Sequence, residues 1–168
     1  MSLENVIVHK DTRNAMIMDF GMCLRVPFVT DAYSGTRRCL IRPQIRCGKP
    51  YYVSPEVYQS RDPFDGYAID LWACSVMLFI MLVGCQPWDW PVPEDARFVA
   101  VAREGRLAEM LVDWGRTISP GAVDLLQGML REDPRDRLSL AQVEEHAWVC
   151  SEEVAGMPAP ADEGWRIS

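Results

Sequence analysis

The chain has 168 residues, of which 49% are hydrophobic and 24% charged, a composition that excludes a fibrous or wholly disordered protein and fits one globular domain. Its formal net charge of -7, with no dominant basic stripe, argues against a general nucleic-acid binder and favours attraction of basic partners. The six cysteines show no C-x-x-C spacing, and Cys74 lies in an apolar run, so we expect reduced thiols.

The first predicted element is a β-hairpin. Val6-Ile7-Val8 and Met16-Ile17-Met18 are short apolar runs on either side of the polar stretch Lys10-Asp11-Thr12-Arg13-Asn14. This arrangement places Asn5 and Asp19 at the open end of the hairpin, close in space.

The stretch from Gly21 to Val53 is rich in Arg, Pro, Gly and Thr and has no sustained hydrophobic period. It is predicted to be a long loop. Loops of this length in compact domains are usually functional or disordered.

A buried helix is predicted over the apolar run Leu71–Val83. Its thirteen residues fall short of the roughly twenty that cross a bilayer. The preceding Asp65-Gly66-Tyr67 fits the start of the helix, and Gly84 fits its end.

Further helices are predicted from Glu94 to Met110, from Pro120 to Leu130 with Ser119 as N-cap, and from near Ser139 onward. Residues 150–168 form an acidic Pro/Ala tail that is predicted to be disordered. No basic region followed by an apolar run stands at the N-terminus, so no signal peptide is expected, and we predict a cytoplasmic location.

Five short motifs follow one another in an informative order. Asn5 precedes Asp19-Phe20-Gly21, which is followed by Cys47-Gly48-Lys49-Pro50, Ser54-Pro55-Glu56 and Asp70-Leu71-Trp72. This order and spacing resemble the C-terminal lobe of a eukaryotic-type protein kinase over residues 1–149. The resemblance implies a mainly α fold, a helical bundle with a short β-hairpin that carries a magnesium-binding loop.

The resemblance implies a serine/threonine-type protein kinase that transfers the γ-phosphate of ATP to a protein hydroxyl, with ATP and magnesium as cofactors. A protein substrate is expected as partner, without nucleic acid or membrane. The N-terminal lobe and the start of the catalytic loop would precede Met1, so we expect this chain alone to be an inactive fragment. The alternative is a pseudokinase or scaffold module that binds partners without phosphoryl transfer.

By the same resemblance, Asn5 and Asp19 would bind magnesium, and Glu4, Asn5, Ile7 and Asp19 would contact the nucleotide. Ile7 would lie under the adenine; the alternative is a plain core isoleucine. For Asn5 and Asp19, the alternatives are a turn residue and a helix N-cap.

Four residues would have structural roles in such a fold. Phe20 would pack against the lobe. Glu56 and Arg137 would pair, which would tether the activation segment to the late helices. Asp70 would accept backbone N–H groups of the catalytic loop. For the three charged residues, the alternative is a solvated charge.

The chain departs from the family pattern at two facing positions. Ser2 stands where serine/threonine kinases usually have a catalytic-loop lysine, and Lys49 stands where they usually have a threonine. The exchange leaves a hydroxyl and an ammonium on opposite loops, so Lys49 is a candidate catalytic residue. The alternative is that the chain is a pseudokinase, in which the lysine at this substrate-facing position is merely solvated.

The long loop also contains candidate phosphorylation sites. Its hydroxyl residues are followed by a cluster of arginines, and a phosphate added there could order the loop by pairing with them. The candidate sites are Thr30, Tyr33, Ser34 and Thr36, and the arginines are Arg37, Arg38, Arg42 and Arg46.

Overall fold

Helices dominate the regular structure in a computed structural model that describes residues 1–31, 35–42 and 48–151. The strands are β1 (Val6–Val8), β2 (Ala15–Ile17), β3 (Phe28–Asp31) and β4 (Gly35–Arg38). The helices are α1 (Pro55–Gln59), α2 (Gly66–Val83), α3 (Ala96–Phe98), α4 (Leu107–Asp113), α5 (Pro120–Met129) and α6 (Leu140–Glu144). Two 3-10 helices cover Leu3–Asn5 and Pro50–Tyr52, and a π-helical turn covers Val99–Arg103.

Helix α2 runs through the hydrophobic core. The Asp65 side chain accepts a hydrogen bond from the Tyr67 N–H at its start, and Gly84 ends it in a left-handed conformation with φ of +85°. The prediction of a buried helix is confirmed, with a start five residues earlier than the apolar run. One side of the helix nevertheless faces solvent, since Met81 is 63% exposed.

Within the part of the chain that the structure describes, α2 is also the helix long and apolar enough to cross a membrane. Its mean hydropathy is 1.9, and 44% of it is buried inside the protein. A core helix passes the same test of length and composition, so this property is weak evidence for a membrane span.

Aromatic rings fill the core beside α2. The Trp88 ring centroid lies 5.4 Å from that of Trp72 and 5.4 Å from that of Phe98, and all three side chains are fully buried. A second, smaller cluster joins α5 to the C-terminal Trp148. Aromatic packing of this kind contributes beyond the area it buries.

The segment from Glu94 to Met110 is not one helix, so that prediction is wrong. α3 continues into the π-helical turn, and the chain then breaks before α4 begins at Leu107. The break contains Gly105 with φ of +72°, a conformation that side-chain-bearing residues rarely adopt. The predicted helices α5 and α6 are confirmed, with Ser119 and Ser139 as their N-caps.

The predicted first hairpin is confirmed. β1 and β2 pair antiparallel with Val6 opposite Ile17, and β2 begins one residue earlier than the apolar run. Both strands are short, and most of their side chains are exposed.

A second hairpin, β3 and β4, occupies the stretch predicted to be a loop, so that prediction is wrong. Phe28 is 55% exposed, Val29 is 45% exposed, and Arg37 on the facing strand is exposed. Because neither face of this hairpin is buried, its sequence lacks the alternation that reveals a strand.

The second hairpin and the residues just after it contact the start of α2. The Ile41 N–H donates to the Phe64 carbonyl at 2.8 Å, and the Phe64 N–H donates back at 3.0 Å. Arg38 lies 3.5 Å from the Asp65 carboxylate and 4.2 Å from the centre of the Tyr67 ring. This part of the chain is therefore ordered by contacts with the helical body.

The five described cysteines are free, as the spacing predicts; they are Cys23, Cys39, Cys74, Cys85 and Cys150. Cys47 lies outside the described residues, as does most of the predicted tail, residues 152–168.

Candidate active site

The two predicted magnesium ligands lie at the same end of the first hairpin. Asn5 ends the first 3-10 helix, and its carbonyl accepts a hydrogen bond from the Met18 N–H at 2.7 Å. Because Val6 pairs with Ile17, Asn5 lies opposite Met18, and Asp19 follows Met18 at the same end of the hairpin. An amide oxygen and a carboxylate are hard oxygen donors, the kind that magnesium prefers.

Asp19 has an unusual backbone conformation. Its φ is +59°, in the left-handed region that costs energy for residues other than glycine, although aspartate tolerates it better than most. Its Oδ1 accepts the Gly21 N–H at 3.1 Å. No helix follows Asp19 before residue 28, so the alternative of a helix N-cap is wrong. Strained residues of this kind are concentrated at functional sites.

The described side chains do not form a metal site by themselves. In residues 1–31, 35–42 and 48–151, no group of three or more His, Cys, Asp and Glu side chains could hold a metal ion. Two oxygen donors suit magnesium, which is usually bound by one or two carboxylates together with substrate phosphates and water. The donor set therefore fits magnesium bound to a nucleotide.

Ile7 lies on β1 and is 42% exposed. The described residues therefore leave this side chain partly uncovered, and both its predicted place under the adenine and the alternative of a core isoleucine stay predictions. Its cross-strand partner Met16, which is 50% exposed, lies on the same face of the hairpin, whereas Val8 and Ile17, 55% and 52% exposed, lie on the opposite face.

Lys49 reaches across to the segment that carries Asn5. Its Nζ lies 2.7 Å from Oε1 of Glu4, and both side chains are partly exposed. Hydrogen bonding from Lys49 lowers the pKa of the Glu4 carboxyl, against partial burial, which raises it. The Ser2 hydroxyl contributes a smaller lowering of the same pKa. Of the two exchanged residues, Lys49 therefore forms an ion pair with the residue that precedes Asn5.

Tyr52 forms a second link between the same segments. Its hydroxyl accepts a hydrogen bond from the Leu3 N–H at 3.3 Å, and the residue is only 5% exposed. Burial raises the pKa of the Tyr52 hydroxyl, so it stays protonated. The sequence analysis did not identify Tyr52 as a site residue. Nothing in the neighbouring sequence indicates that its hydroxyl contacts Leu3, which is 49 residues away.

Glu56 and Arg137 form a bidentate ion pair. Two guanidinium nitrogens of Arg137 donate to the two carboxylate oxygens of Glu56, each at 2.7 Å. The Arg137 side chain is 1% exposed and also donates to the carbonyls of Arg131 and Glu132. Its guanidinium lies 4.6 Å from the centre of the Trp72 ring. The pair joins α1 to the segment before α6.

Asp70 lies on α2 and is exposed. Desolvation by the surrounding protein raises the pKa of its carboxyl, and the positive charge of the chain N-terminus lowers it. Within the described residues, no hydrogen bond to this carboxylate is present. The predicted contacts of Asp70 with backbone N–H groups of the catalytic loop remain a prediction.

Phe20 does not pack against the helical body, so that prediction is wrong. Its side chain is 66% exposed, and so is Met22 two residues later. The irregular stretch between β2 and β3 runs over the surface, where only Val26 is partly covered. Phe20 therefore has no buried apolar side chains of the described residues to pack against.

Two candidate phosphorylation sites face each other in the second hairpin. The hydroxyls of Thr30 and Thr36 are 3.0 Å apart, and both residues are exposed. Arg38 is already engaged with Asp65 and Tyr67. Three further members of this group, Tyr33, Ser34 and Arg46, lie outside the described residues.

Comparison with known proteins assigns this fold and site to a class. Residues 1–149 match the model of the protein kinase domain. The chain therefore belongs to the protein kinase family.

Individual kinases are similar to the chain over most of its length. The serine/threonine-protein kinase chk1 of Schizosaccharomyces pombe is 32% identical over 148 residues, which cover 88% of this chain and 27% of the relative. CBL-interacting protein kinase 1 of Oryza sativa is 31% identical over 160 residues, 95% of this chain and 31% of the relative. The calcium/calmodulin-dependent protein kinase type II alpha chain of Drosophila melanogaster is 31% identical over 153 residues, 89% of this chain and 26% of the relative. The chain thus spans less than a third of the length of these relatives.

Proposed function

We propose that residues 1–149 are the C-terminal lobe of a serine/threonine-type protein kinase, which transfers the γ-phosphate of ATP to a protein hydroxyl. The observation that carries this proposal is the placement of Asn5 and Asp19 at one end of the first hairpin, with Asp19 in a strained conformation. The family match and the serine/threonine-protein kinase among the relatives support it.

Phosphoryl transfer needs positioning and charge stabilisation more than covalent chemistry from the protein. Asn5 and Asp19 would hold magnesium, which would supply neutralisation of the phosphate charge. Ile7 and Met16, which share one face of the hairpin, would offer an apolar surface to the adenine. Lys49 would offer a cation to the transferred phosphoryl group from the side opposite Ser2.

The remaining nucleotide contacts would come from elsewhere in the protein. No Gly-rich phosphate loop occurs among the 168 residues. We propose that an N-terminal lobe supplies it and covers the exposed apolar surface of the first hairpin. Residues 1–168 alone should then bind Mg-ATP weakly, and micromolar binding in calorimetry would contradict this assignment.

The direct test is phosphotransfer by the full-length protein that contains this chain. With labelled ATP and a mixture of peptides, transfer to serine or threonine is expected. Asp19→Asn should abolish it, because the variant loses a charged metal ligand. Asp113→Asn, at the exposed end of α4, is the matched control and should keep full activity. A wild-type protein without transfer, or an active Asp19→Asn variant, would refute the proposal and leave a partner-binding pseudokinase.

A further inference from the structure

The carboxylate that binds the proposed catalytic lysine belongs to the residue just before a proposed metal ligand. We infer that Glu4 is a positioning residue, which holds the Lys49 ammonium beside the Asn5 and Asp19 end of the first hairpin so that this ammonium contacts the transferred phosphoryl group. This inference rests on the proposed function, and it gives Glu4 the role of positioning Lys49 in place of the nucleotide contact that the resemblance implies.

The contact itself is short and well placed. Nζ of Lys49 lies 2.7 Å from Oε1 of Glu4, which is the distance of a charge-assisted hydrogen bond. Glu4 immediately precedes Asn5 in the same 3-10 helix. The ammonium is therefore held one residue away from a proposed magnesium ligand.

The main chain of Lys49 is fixed independently of its side chain. Its carbonyl accepts hydrogen bonds from the Tyr52 and Val53 N–H groups at 3.1 and 3.2 Å. The buried Tyr52 hydroxyl in turn accepts from the Leu3 N–H. With its main chain anchored to this segment, Lys49 needs only one partner to set the direction of its flexible side chain.

Glu4 leaves the ammonium free to act. An ammonium has three N–H donors, and the Glu4 contact uses one of them. The Lys49 side chain is 47% exposed and that of Glu4 is 38% exposed, so a phosphate can approach the pair. Ser2, by contrast, is uncharged and only 5% exposed, so it offers no cation to an approaching phosphate.

A surface ion pair that only tethers two segments would have a different effect. Exposed pairs contribute little to stability, so loss of the tether alone should lower Tm by about 1–3 °C. Misplacement of a catalytic group, by contrast, slows the reaction with little change in nucleotide binding. Measurements of Tm and of the reaction rate therefore distinguish a positioning role of Glu4 from a purely stabilising one.

The test uses the full-length protein with the variants Glu4→Gln, Lys49→Met and both together. Glu4→Gln should lower kcat about 10-fold and Lys49→Met about 10²-fold, each with the KM for ATP nearly unchanged. The double variant should be no slower than Lys49→Met, because Glu4 acts only through Lys49. Tm should show the same lack of additivity. Glu104→Gln, which loses an exposed carboxylate paired with Arg106, is the control and should keep its kcat.

The charge-reversed pair, Glu4→Lys with Lys49→Glu, decides between the two roles. It should recover Tm but not kcat, because an anion then stands where the cation is needed. Recovery of kcat, or additive effects of the single variants on Tm and kcat, would overturn the inference. An inactive wild type with coupled Tm values would overturn the proposed function and the catalytic part of the inference, and would leave the pair as a tether.

Discussion

Glu56 and Arg137 are 81 residues apart in sequence and form a bidentate ion pair with both N–O distances at 2.7 Å. Arg137 is almost fully buried and has two main-chain carbonyls and the Trp72 ring as further partners. Burial of a charge is tolerated only when it is paired and hydrogen-bonded. The pair therefore links α1 to the C-terminal helices at a point where either charge alone would be costly.

Removal of one partner should destabilise the protein strongly. Glu56→Ala and Arg137→Ala should each cost about 3–5 kcal/mol of unfolding free energy, because each leaves buried polar groups without their partner. Arg137→Ala should be the worse of the two, since it also frees two carbonyls. Urea denaturation of the single and double variants measures the coupling, which should be strongly non-additive.

Arg135→Ala is the matched control for this pair. Arg135 also pairs with a carboxylate, that of Asp133, but its side chain is 87% exposed. The variant should unfold like the wild type. Additive losses at Glu56 and Arg137, or a large loss in the control, would show that burial of the pair is not what matters.

Asp95 should make stability depend on pH in the acid range. Desolvation raises the pKa of its carboxyl, but hydrogen bonds donated by surrounding backbone N–H groups outweigh this and lower the pKa overall. The donors are the N–H groups of Asp89, Trp90, Arg97 and Phe98. A lowered folded-state pKa stabilises the protein above the unfolded value, about 3.9, and this contribution is lost as the pH falls through the folded value.

Asp95→Asn should remove that part of the acid dependence. The amide keeps one oxygen acceptor and loses the charge, so the variant should be less stable at pH 7 and closer to the wild type near pH 2.5. Urea denaturation between these pH values is the measurement. Parallel curves for the two proteins would contradict the assignment.

Two residues of α2 should respond very differently to truncation. Phe79 is fully buried and packs edge-to-face with Trp114, with 6.3 Å between the ring centroids, whereas Met81 is 63% exposed. Phe79→Ala should cost about 3–5 kcal/mol and Met81→Ala less than about 0.5 kcal/mol. Similar losses at both positions, measured by chemical denaturation, would show that the exposed side of α2 is covered in solution.

Two N-cap serines should also differ. Ser119 accepts the Ala122 N–H at the start of α5 and also the Trp148 indole N–H at 3.0 Å. Ser139 caps the short helix α6 in an exposed capping box. Ser119→Ala should therefore cost about 2–3 kcal/mol, since it also leaves a buried indole N–H unpaired, and Ser139→Ala about 1 kcal/mol. Equal losses in thermal unfolding would mean that the indole contact contributes nothing.

The sequence predicted the first hairpin and the ends of several helices, because these features depend on residues that are close together in the chain. The apolar runs and polar turn fixed the first hairpin, and the cap residues Asp65, Gly84, Ser119 and Ser139 marked the ends of three helices. These features depend on hydrogen bonds and dihedral preferences within a few residues, so they are readable without a structure.

The resemblance to protein kinases also implied one contact between distant segments, the Glu56–Arg137 pair, which the structure contains. Other tertiary features were predicted less well. The second hairpin escaped prediction because neither of its faces is buried, and Phe20 proved exposed because no core lies beneath its segment. For the candidate site, the sequence motifs named Asn5, Asp19 and Lys49, but they did not reveal that Lys49 would meet Glu4.

The sequence by itself determined the family pattern, the order of the helices and the residue types available at the site. The tertiary structure alone decided that Lys49 reaches Glu4 and that the Tyr52 hydroxyl contacts the Leu3 N–H. The reason is physical: capping and strand pairing across a short turn are set over a few residues. Burial and partner choice for a charge, in contrast, depend on segments that only the complete packing brings together.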